Sequence, residues 1–306
     1  MQLPLPIKGG DEWPTLSGAY AIPALPPGLS WPKISIVTPS FNQGAYLEKT
    51  IRSVLLQGYP NLEYIIIDGG SSDQSVDVIK KYEQWIDFWV SEKDRGQSHA
   101  INKGLAKTAG ELLGWLNSDD YYLPGALFKI ARAYLEDTSA GAIYGQGHLV
   151  DETGAIIHIP KLVPVTKASL FAWCFGNDFM QPSCFFTRKA WQASGPVDQS
   201  LTFALDVEFW IRIADRFAFK RIPDVLSISL SHPLAKTTSM LDKSHAELAQ
   251  ICMRHGEEAS ARRIMDQILA RQGSERDRIR YPWFWKMTAP MRRAAGKLRE
   301  IRRKPL

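Results

Sequence analysis

The chain reads KISIVTPSFNQG at residues 33–44 and LEYIIIDGGSSD at residues 62–73, and these two stretches decide the fold. The first opens with a short apolar strand, ISIV. The second contains an uninterrupted apolar run, YIII, which is typical of a strand buried on both faces of a parallel sheet. A strand, a helix and a second strand in this order predict a βαβ unit. The apolar residues at helical spacing between the two strands are Leu47, Ile51, Val54 and Leu55.

The same alternation continues outward to about residue 135, which predicts an α/β fold with a mostly parallel sheet flanked by helices. Further strands are predicted at 86–90 and 112–116, and further helices after a cap at Ser72, around 101–105 and after Pro124. Downstream, the pattern predicts a hairpin around 151–154, strands at 184–187 and 227–230, and a helix opened by Asp206.

Three regions follow from these patterns. Residues 1–32 hold seven of the 19 prolines and predict an irregular arm. Residues 33–240 are the predicted α/β domain, and residues 241–306 are a helical C-terminal extension that ends in a basic, Trp-rich segment. The composition, 45% hydrophobic and 23% charged over 306 residues, excludes global disorder.

The three cysteines form no CxxC pair, which argues against a disulfide scaffold and a structural zinc site. No apolar run is long enough to span a bilayer, and the N-terminus lacks a signal-type apolar segment, so a cytoplasmic protein is predicted. The net charge of +5 is uneven, because residues 271–306 hold 12 Lys and Arg against three acids, whereas the remaining chain holds 25 basic and 29 acidic residues. A general nucleic-acid-binding surface is therefore not expected.

The basic tail combines positive charge with aromatic anchors. Trp283, Phe284 and Trp285 are followed by a basic stretch that contains Arg292, Arg293, Lys297, Arg299, Arg302, Arg303 and Lys304. This pairing suits an anionic membrane surface, at which aromatic rings sit at headgroup depth, so peripheral contact at the inner face of the membrane is predicted through residues 281–306. A solvated tail, or a tail folded on the acidic body, is the alternative.

Polar segments follow the predicted strands at the edge where ligands of parallel sheets bind. Asn117-Ser118-Asp119-Asp120 places two adjacent carboxylates at one strand end, and a divalent cation would offset their repulsion. Hard oxygen ligands suit Mg²⁺ or Mn²⁺ and imply a diphosphate substrate. The alternative is a turn that caps the helix after Pro124.

Two other strand ends carry binding candidates. Asp68 is placed to accept two donors of a nucleobase or ribose, although Asp-Gly-Gly-Ser-Ser-Asp also favours a turn. Asp94 and Arg95 add a carboxylate and a guanidinium that suits phosphate, and a solvated ion pair in a surface turn is the alternative.

These segments resemble the nucleotide-sugar-dependent glycosyltransferases of family 2. The resemblance covers about residues 33–240 and is carried by the two stretches above, by EKDRGQSHAINKGLAKTAGELLGWLNSDD, and by QPSCFFTRKAW, FALDVEFWIRIA and SHPLAKTTS. It implies a GT-A, Rossmann-like fold. It also implies transfer of a sugar from a nucleoside diphosphate sugar to an acceptor hydroxyl, with inversion and with Mn²⁺ or Mg²⁺. A hexosyltransferase acting on a glycan or lipid-linked acceptor, in surface polysaccharide or glycolipid assembly, is expected.

The resemblance also implies roles for individual residues. The metal would be held by Asp119 and Asp120, with His232 approaching the metal or the diphosphate. The family often has Asp-Asp-Gly-Ser after the second strand, whereas this chain has glycine at position 69. The residues expected to bind the nucleotide sugar are Thr38, Pro39, Asn42, Asp68, Asp94, Arg95, Asn117, Ser118 and Asp119.

Asp206 matches the catalytic base of the family. An acceptor hydroxyl is a poor nucleophile, and a carboxylate within hydrogen-bond reach can take its proton as attack develops. The alternatives are that Asp206 only caps its helix, or that Glu208 is the base. His99, Gln181 and Glu208 are weaker candidates for contact with the sugar or the acceptor.

Two other functions are alternatives to a glycosyltransferase. A nicotinamide-dependent oxidoreductase needs G-x-G-x-x-G after the first strand, and the chain has TPSFNQG there. A non-catalytic nucleotide-sugar or glycan binding protein on the same fold is the other rival. The presence of Asp119, Asp120 and Asp206 disfavours this second rival.

Overall fold

A computed structural model of the chain describes residues 13–14, 21–176, 179–233, 235 and 240–280, with the side chains of 273–280 left out. The predicted membrane-contact segment, residues 281–306, lies outside the described residues. The chain divides into two compact units between Leu248 and Ala249.

Within the described residues of the first unit, nine strands form one sheet in the order β3-β2-β1-β4-β8-β6-β9-β5, with β7 paired to β6. Most paired positions are parallel, which confirms the predicted mostly parallel α/β architecture. The strands are β1 (Ile34–Ser40), β2 (Leu62–Asp68), β3 (Phe88–Ser91), β4 (Leu112–Trp115), β5 (Tyr121–Tyr122), β6 (Ala142–Val150), β7 (Ile156–His158), β8 (Cys184–Thr187) and β9 (Phe219–Leu230).

Strand β1 lies between β2 and β4, parallel to both, and every residue of β1 is buried. Ser40 at the end of β1 is opposite Asp68 at the end of β2. Val37 is opposite Trp115, the last residue of β4. The segments that follow these three strands therefore leave the sheet at the same edge, which is where the sequence predicted the site.

Helices cover this sheet, and their apolar residues face inward at the predicted spacing. In α1, the side chains of Leu47, Ile51, Val54 and Leu55 are buried in the same core cluster as Ile34 and Ile36 of β1. The helices of the first unit are α1 (Gly44–Leu55), α2 (Ser75–Tyr82), α3 (Gln97–Leu105), α4 (Ala126–Glu136), α5 (Lys167–Phe171), α6 (Arg188–Ser194), α7 (Leu205–Ala214) and the first part of α8 (Leu241–Arg254). The second unit contains the end of α8 and α9 (Glu258–Arg280).

Three helix starts differ from the sequence-based expectation. Helix α2 begins at Ser75, and Asp73, not Ser72, accepts the hydrogen bond from the Ser75 N–H. Helix α4 begins at Ala126 after Gly125, which has a φ of 75°, so the Asn117–Asp120 segment does not cap it. Strand β5 lies between that segment and α4. Helix α7 begins one residue before Asp206, so Asp206 is not its cap.

An aromatic cluster packs between strands β4 and β8 and helix α7. The indoles of Trp115 on β4 and Trp210 on α7 stack at 5.3 Å with an interplanar angle of 7°. Phe186 of β8 and Phe209 of α7 meet them edge-on or tilted. Helix α7 is thereby fixed against β4.

In the part of the chain that the structure describes, every helix is too short or too polar to cross a bilayer.

Candidate functional site

The loop after β1 turns on Asn42, which has a φ of 52°. Its Oδ1 accepts a hydrogen bond from the Ser72 N–H at 2.9 Å, and its own N–H donates to Ser71 Oγ at 2.8 Å. The loops after β1 and β2 are thus joined. Thr38 is buried, and its hydroxyl lies 3.1 Å from the Tyr64 hydroxyl; the side chain of Pro39 is also buried.

Asp68 is fully buried and satisfied by protein donors. Its carboxylate accepts hydrogen bonds from the N–H groups of Gly70 and Ser71, and from the hydroxyls of Ser71 and Ser91 at 2.6 Å. A carboxylate with four donors orders the loop around it. Asp68 thus joins the loop after β2 to the end of β3, and its contact with a nucleotide stays a prediction.

Asp94 lies against the backbone of Gly69. A Cβ atom at position 69 would come within 2.7 Å of Asp94 Oδ2, so the glycine makes room for this carboxylate. Asp94 Oδ1 accepts the Gly96 N–H at 2.8 Å. Arg95 is exposed and donates to Gln199 Oε1 at 3.0 Å, and the backbone N–H of Arg95 lies 3.5 Å from His99 Nδ1. Asp94 and Gly69 thus bring the ends of β2 and β3 together.

Asn117 is the centre of a polar network. Its Oδ1 accepts from Gln97 Nε2 at 2.8 Å, and its Nδ2 lies 3.3 Å from Asp120 Oδ2 and 3.4 Å from Gln181 Oε1. Gln181 also donates to the Trp115 carbonyl at 3.0 Å. The main chain around Ser118 is held from α1, where the buried Thr50 hydroxyl lies 2.9 Å from the Ser118 carbonyl and 2.7 Å from the Asp120 carbonyl.

The two adjacent acids have different environments. The Asp119 carboxylate is partly exposed, and its Oδ2 lies 3.0 Å from Nε2 of His232, whose side chain is fully buried. The ring of Tyr46 lies over the imidazole, with 4.4 Å between centroids. Asp120 is buried and accepts the Leu230 N–H at 3.2 Å. Burial, and then the charge of Asp119, raise the pKa of the Asp120 carboxyl well above its usual range.

These side chains were tested for their fit to a divalent cation. No cluster of three or more His, Cys, Asp or Glu side chains suitable for a metal occurs among the described residues. Asp119 Oδ2 and His232 Nε2 nevertheless form a pair of possible ligands, and His232 Nδ1 is buried without a hydrogen-bond partner in this part of the chain. Mg²⁺-type sites commonly use one or two protein ligands plus substrate phosphates and water. The residues fit a cation shared with a diphosphate.

Asp206 lies in the first turn of α7, partly buried. Its Oδ1 accepts the Val207 N–H at 2.8 Å. Burial, and to a smaller extent the charge of Glu247, raise the pKa of Asp206 to about 6, while the hydrogen bond from Val207 opposes the shift. A carboxyl with a pKa near neutrality suits proton transfer at physiological pH.

Glu208 is poorly placed to act as a base. Its carboxylate is buried and binds the Arg212 guanidinium through three contacts of 2.8–3.0 Å. Arg212 also donates to the Ser194 and Pro196 carbonyls, which ties α7 to the end of α6. The Glu208–Arg212 pair therefore has a structural role.

The structure groups the predicted residues into one set on the loops after β1, β2 and β3 and a second set at Asn117, Asp119, Gln181 and His232. Sequence reasoning gave no role to Phe41, which lies in the TPSFNQG segment, and it missed Tyr46 and Glu247. Phe41, at the tip of the β1 loop, is 58% exposed. Tyr46 and Glu247 contact His232 and the start of α7, respectively. Their sequence context carries no motif, and only tertiary contacts identify Tyr46 and Glu247.

Comparison with known proteins gives a consistent result. The family model described as Glycosyl transferase family 2 matches residues 35–192. An uncharacterized glycosyltransferase of Mycobacterium tuberculosis is 30% identical over 188 residues, which cover 60% of this chain and 70% of the relative. Chondroitin synthase of Escherichia coli is 24% identical over 215 residues, 69% of this chain, and the match spans only 31% of that larger protein.

Two solved structures resemble the fold. The structure of S. aureus TarS 1–349 in complex with UDP-GlcNAc has a TM-score of 0.56 and 18% identity, covering 79% of this chain and 73% of that one. The mannosyltransferase PcManGT from Pyrobaculum calidifontis, in complex with GDP-Man and Mn²⁺, has a TM-score of 0.57 and 18% identity, with coverage of 80% and 76%. At this identity the likeness shows the fold alone, and it confirms the GT-A architecture.

Proposed function

Because the chain belongs to glycosyl transferase family 2, we propose that it transfers a sugar from a nucleoside diphosphate sugar to an acceptor hydroxyl. The main support is the site at the end of β4, where Asp119 faces His232 and Asp120 lies buried beside them. Such a pair of ligands suits a cation that is shared with a diphosphate. The bound UDP-GlcNAc and GDP-Man of the two structural neighbours add support for this substrate class.

The residues of the proposed donor site have different roles. Asp119 and His232 would hold Mn²⁺ or Mg²⁺, which supplies charge neutralisation for the leaving diphosphate. Asp120, Asn117 and Ser118 would fix the Asp119 loop. Asp94 and Arg95 would contact the nucleotide, whereas Thr38, Pro39, Asn42 and Asp68 would shape the loops around it, with Phe41 as an exposed surface for the base.

Asp206 is the proposed catalytic base. Its pKa of about 6 leaves it ionised at neutral pH, yet basic enough to accept a proton. Attack by the deprotonating acceptor hydroxyl on the face opposite the diphosphate would invert the anomeric carbon. Gln181 and His99 lie near Asn117 and Arg95, respectively, and would contact the sugar or acceptor. We propose a hexosyl donor and a glycan or lipid-linked acceptor.

A thermal-shift screen tests the donor site. Nucleoside diphosphates and their sugars are added with Mn²⁺ or with EDTA, since a ligand that binds only the folded state raises the melting temperature. We expect a shift that depends on Mn²⁺, and its loss in Asp119→Asn. Glu83→Gln, an exposed substitution outside the site, is the control. A shift of equal size in EDTA would contradict the shared-cation site.

A second experiment separates an enzyme from a non-catalytic binder. Asp206→Asn should abolish sugar transfer while nucleotide binding stays within about twofold of wild type, because the base acts in the transition state rather than in donor binding. Retention of transfer by this variant would remove Asp206 from the base role. Absence of transfer by the wild-type chain, across donors that bind, would favour the binding protein.

The acceptor's location is part of the same proposal. Contact of residues 281–306 with an anionic membrane at the cytoplasmic face would bring the enzyme to a lipid-linked acceptor. We expect deletion of these residues to abolish sedimentation with vesicles containing anionic lipid. Unchanged sedimentation would remove the membrane role and leave the donor chemistry untouched.

A further inference from the structure

A carboxylate that lies outside the proposed site binds three consecutive backbone amides next to that site. Glu247 on α8 accepts hydrogen bonds at 2.7 Å from the N–H groups of Thr202, Phe203 and Ala204. Its Oε1 binds the first of these and its Oε2 the other two. Charge-assisted bonds of this length are among the stronger hydrogen bonds in proteins.

These three amides immediately precede α7, which lacks a cap of its own. The N-cap residue is Ala204, whose methyl side chain cannot accept a hydrogen bond from the first turn. Helix N-termini present unpaired N–H groups and the positive end of the helix dipole, both of which favour a nearby anion. Glu247 supplies that anion from 43 residues away in sequence.

The segment that Glu247 holds leads directly into Asp206. Ala204 is two residues before Asp206, so the position of the 202–204 backbone sets where α7 starts and where the Asp206 carboxylate points. Two titratable side chains influence or face this carboxyl in the described residues, Glu247 on α8 and the buried Cys184 thiol on β8. Of the two, only Glu247 also binds the backbone at the start of α7.

We propose that Glu247 is a positioning residue for sugar transfer: it clamps the backbone of residues 202–204 and thereby holds Asp206 in reach of the acceptor hydroxyl. This inference rests on the proposed function. It separates Glu247 from a residue that only stabilises the fold, because a small displacement of a catalytic group lowers turnover without weakening donor binding.

Two substitutions at Glu247 separate the effect of side-chain length from the effect of charge. Glu247→Asp keeps the charge and shortens the side chain, so we expect kcat to fall by about 10-fold or more, with the nucleotide dissociation constant within about twofold. Glu247→Gln keeps the length and one accepting oxygen but removes the charge. Because that charge raises the pKa of Asp206, the acid limb of kcat/KM should move to lower pH in this variant. Glu83→Gln should change neither quantity.

The outcomes are distinguishable. Wild-type kcat in Glu247→Asp together with an unmoved acid limb in Glu247→Gln would overturn the inference, as would a lower melting temperature with no kinetic change. If Glu247→Asp does not fold, kcat of Glu247→Gln decides, because Gln keeps only one of the two oxygens that accept from residues 202–204; an unchanged kcat would then overturn the inference. No transfer by the wild type, or full transfer by Asp206→Asn, would instead refute the proposed function itself.

Discussion

Asp206 combines partial burial with a position in the first turn of a helix, and burial dominates its chemistry. Its pKa of about 6 is the sum of desolvation, a smaller opposing hydrogen bond from Val207, and repulsion from Glu247. An acid whose pKa lies near the working pH is the kind that accepts a proton efficiently. Two predictions at the residue scale follow from this single value.

The first concerns the pH dependence of activity. Asp206 must be ionised to act as a base, so kcat/KM should fall as the pH drops through about 6. Steady-state rates between pH 5 and 8 measure this acid limb of kcat/KM. The metal concentration is held constant, and the donor must be stable over this pH range. A limb with its midpoint near the usual aspartate range, about 4, would contradict the raised pKa.

The second concerns stability. A folded-state pKa above the unfolded value of 3.8 means that the folded chain binds the proton more tightly, so this carboxyl costs stability as the pH rises from 3.8 through 6. Asp206→Asn should therefore stabilise the chain above pH 6, by up to about 3 kcal/mol, and not below pH 4. Thermal unfolding at both extremes measures this, and Glu83→Gln serves as control. Equal stability of the two chains at pH 8 would contradict it.

Sequence reasoning found the residue types of the site but could not separate neighbours. Asp119 and Asp120 are equivalent in sequence, and only the fold turns one toward His232 and buries the other against Leu230. Asp68, which is predicted to bind the nucleotide, also accepts four hydrogen bonds from its own loop and from Ser91, and no local motif specifies them. Side-chain direction at a strand end depends on tertiary hydrogen bonds, which the local sequence does not specify.

At the element scale, α1 supports the loop that carries the two acids. The buried Thr50 hydroxyl contacts the carbonyls of Ser118 and Asp120, and Ser53 Oγ accepts the Tyr122 N–H at 3.1 Å. A helix on one side of the sheet thus fixes the main chain on both sides of Asp119.

This support can be tested by an isosteric change. Thr50→Val leaves two buried carbonyls without their donor, so the free energy of unfolding should fall by about 1–2 kcal/mol. Nucleotide affinity in Mn²⁺ should fall as well, because the Asp119 loop loses its anchor. Thr108→Val, which removes a buried hydroxyl bonded to Leu105 and Arg188, should lower stability but not affinity. Unchanged nucleotide affinity in Thr50→Val would contradict the anchoring role.

Strand and helix identities were predictable because buried apolar runs and helical spacing are local signals. The first and last residues of these strands and helices were less predictable. Helix α4 starts at Ala126, two residues after Pro124, because Gly125 adopts a left-handed conformation there. Strand β5 has two residues and forms by pairing with β9, over 100 residues later, so no local pattern announces it.

At the scale of the whole molecule, contacts from outside residues 33–240 complete the predicted domain. Trp13 Nε1 donates to the Tyr122 carbonyl at 2.7 Å, and the buried Arg52 donates to the Pro14 carbonyl at 2.9 Å. Glu247 contributes from the C-terminal side. Composition, motif spacing and resemblance do not specify such long-range contacts, and the domain bounds at residues 33 and 240 stay a prediction.

A pair of shortened chains tests the N-terminal contact. A chain lacking residues 1–12 keeps Trp13 and Pro14, whereas one lacking residues 1–14 loses both. We expect the second to be less stable than the first by about 2 kcal/mol or more, because the charged Arg52 group loses a buried acceptor. Urea unfolding of the two chains measures the difference. Equal midpoints and slopes would contradict it.

The stacked indoles of Trp115 and Trp210 have a spectroscopic consequence. Two indoles with nearly parallel planes and centroids 5.3 Å apart couple their transitions, so circular dichroism should contain an exciton band from this pair. One indole ends the strand that leads to Asn117, and the other lies one turn beyond Asp206. The chain therefore carries an unlabelled optical reporter of the spacing between the loop that contains Asp119 and the helix that contains Asp206.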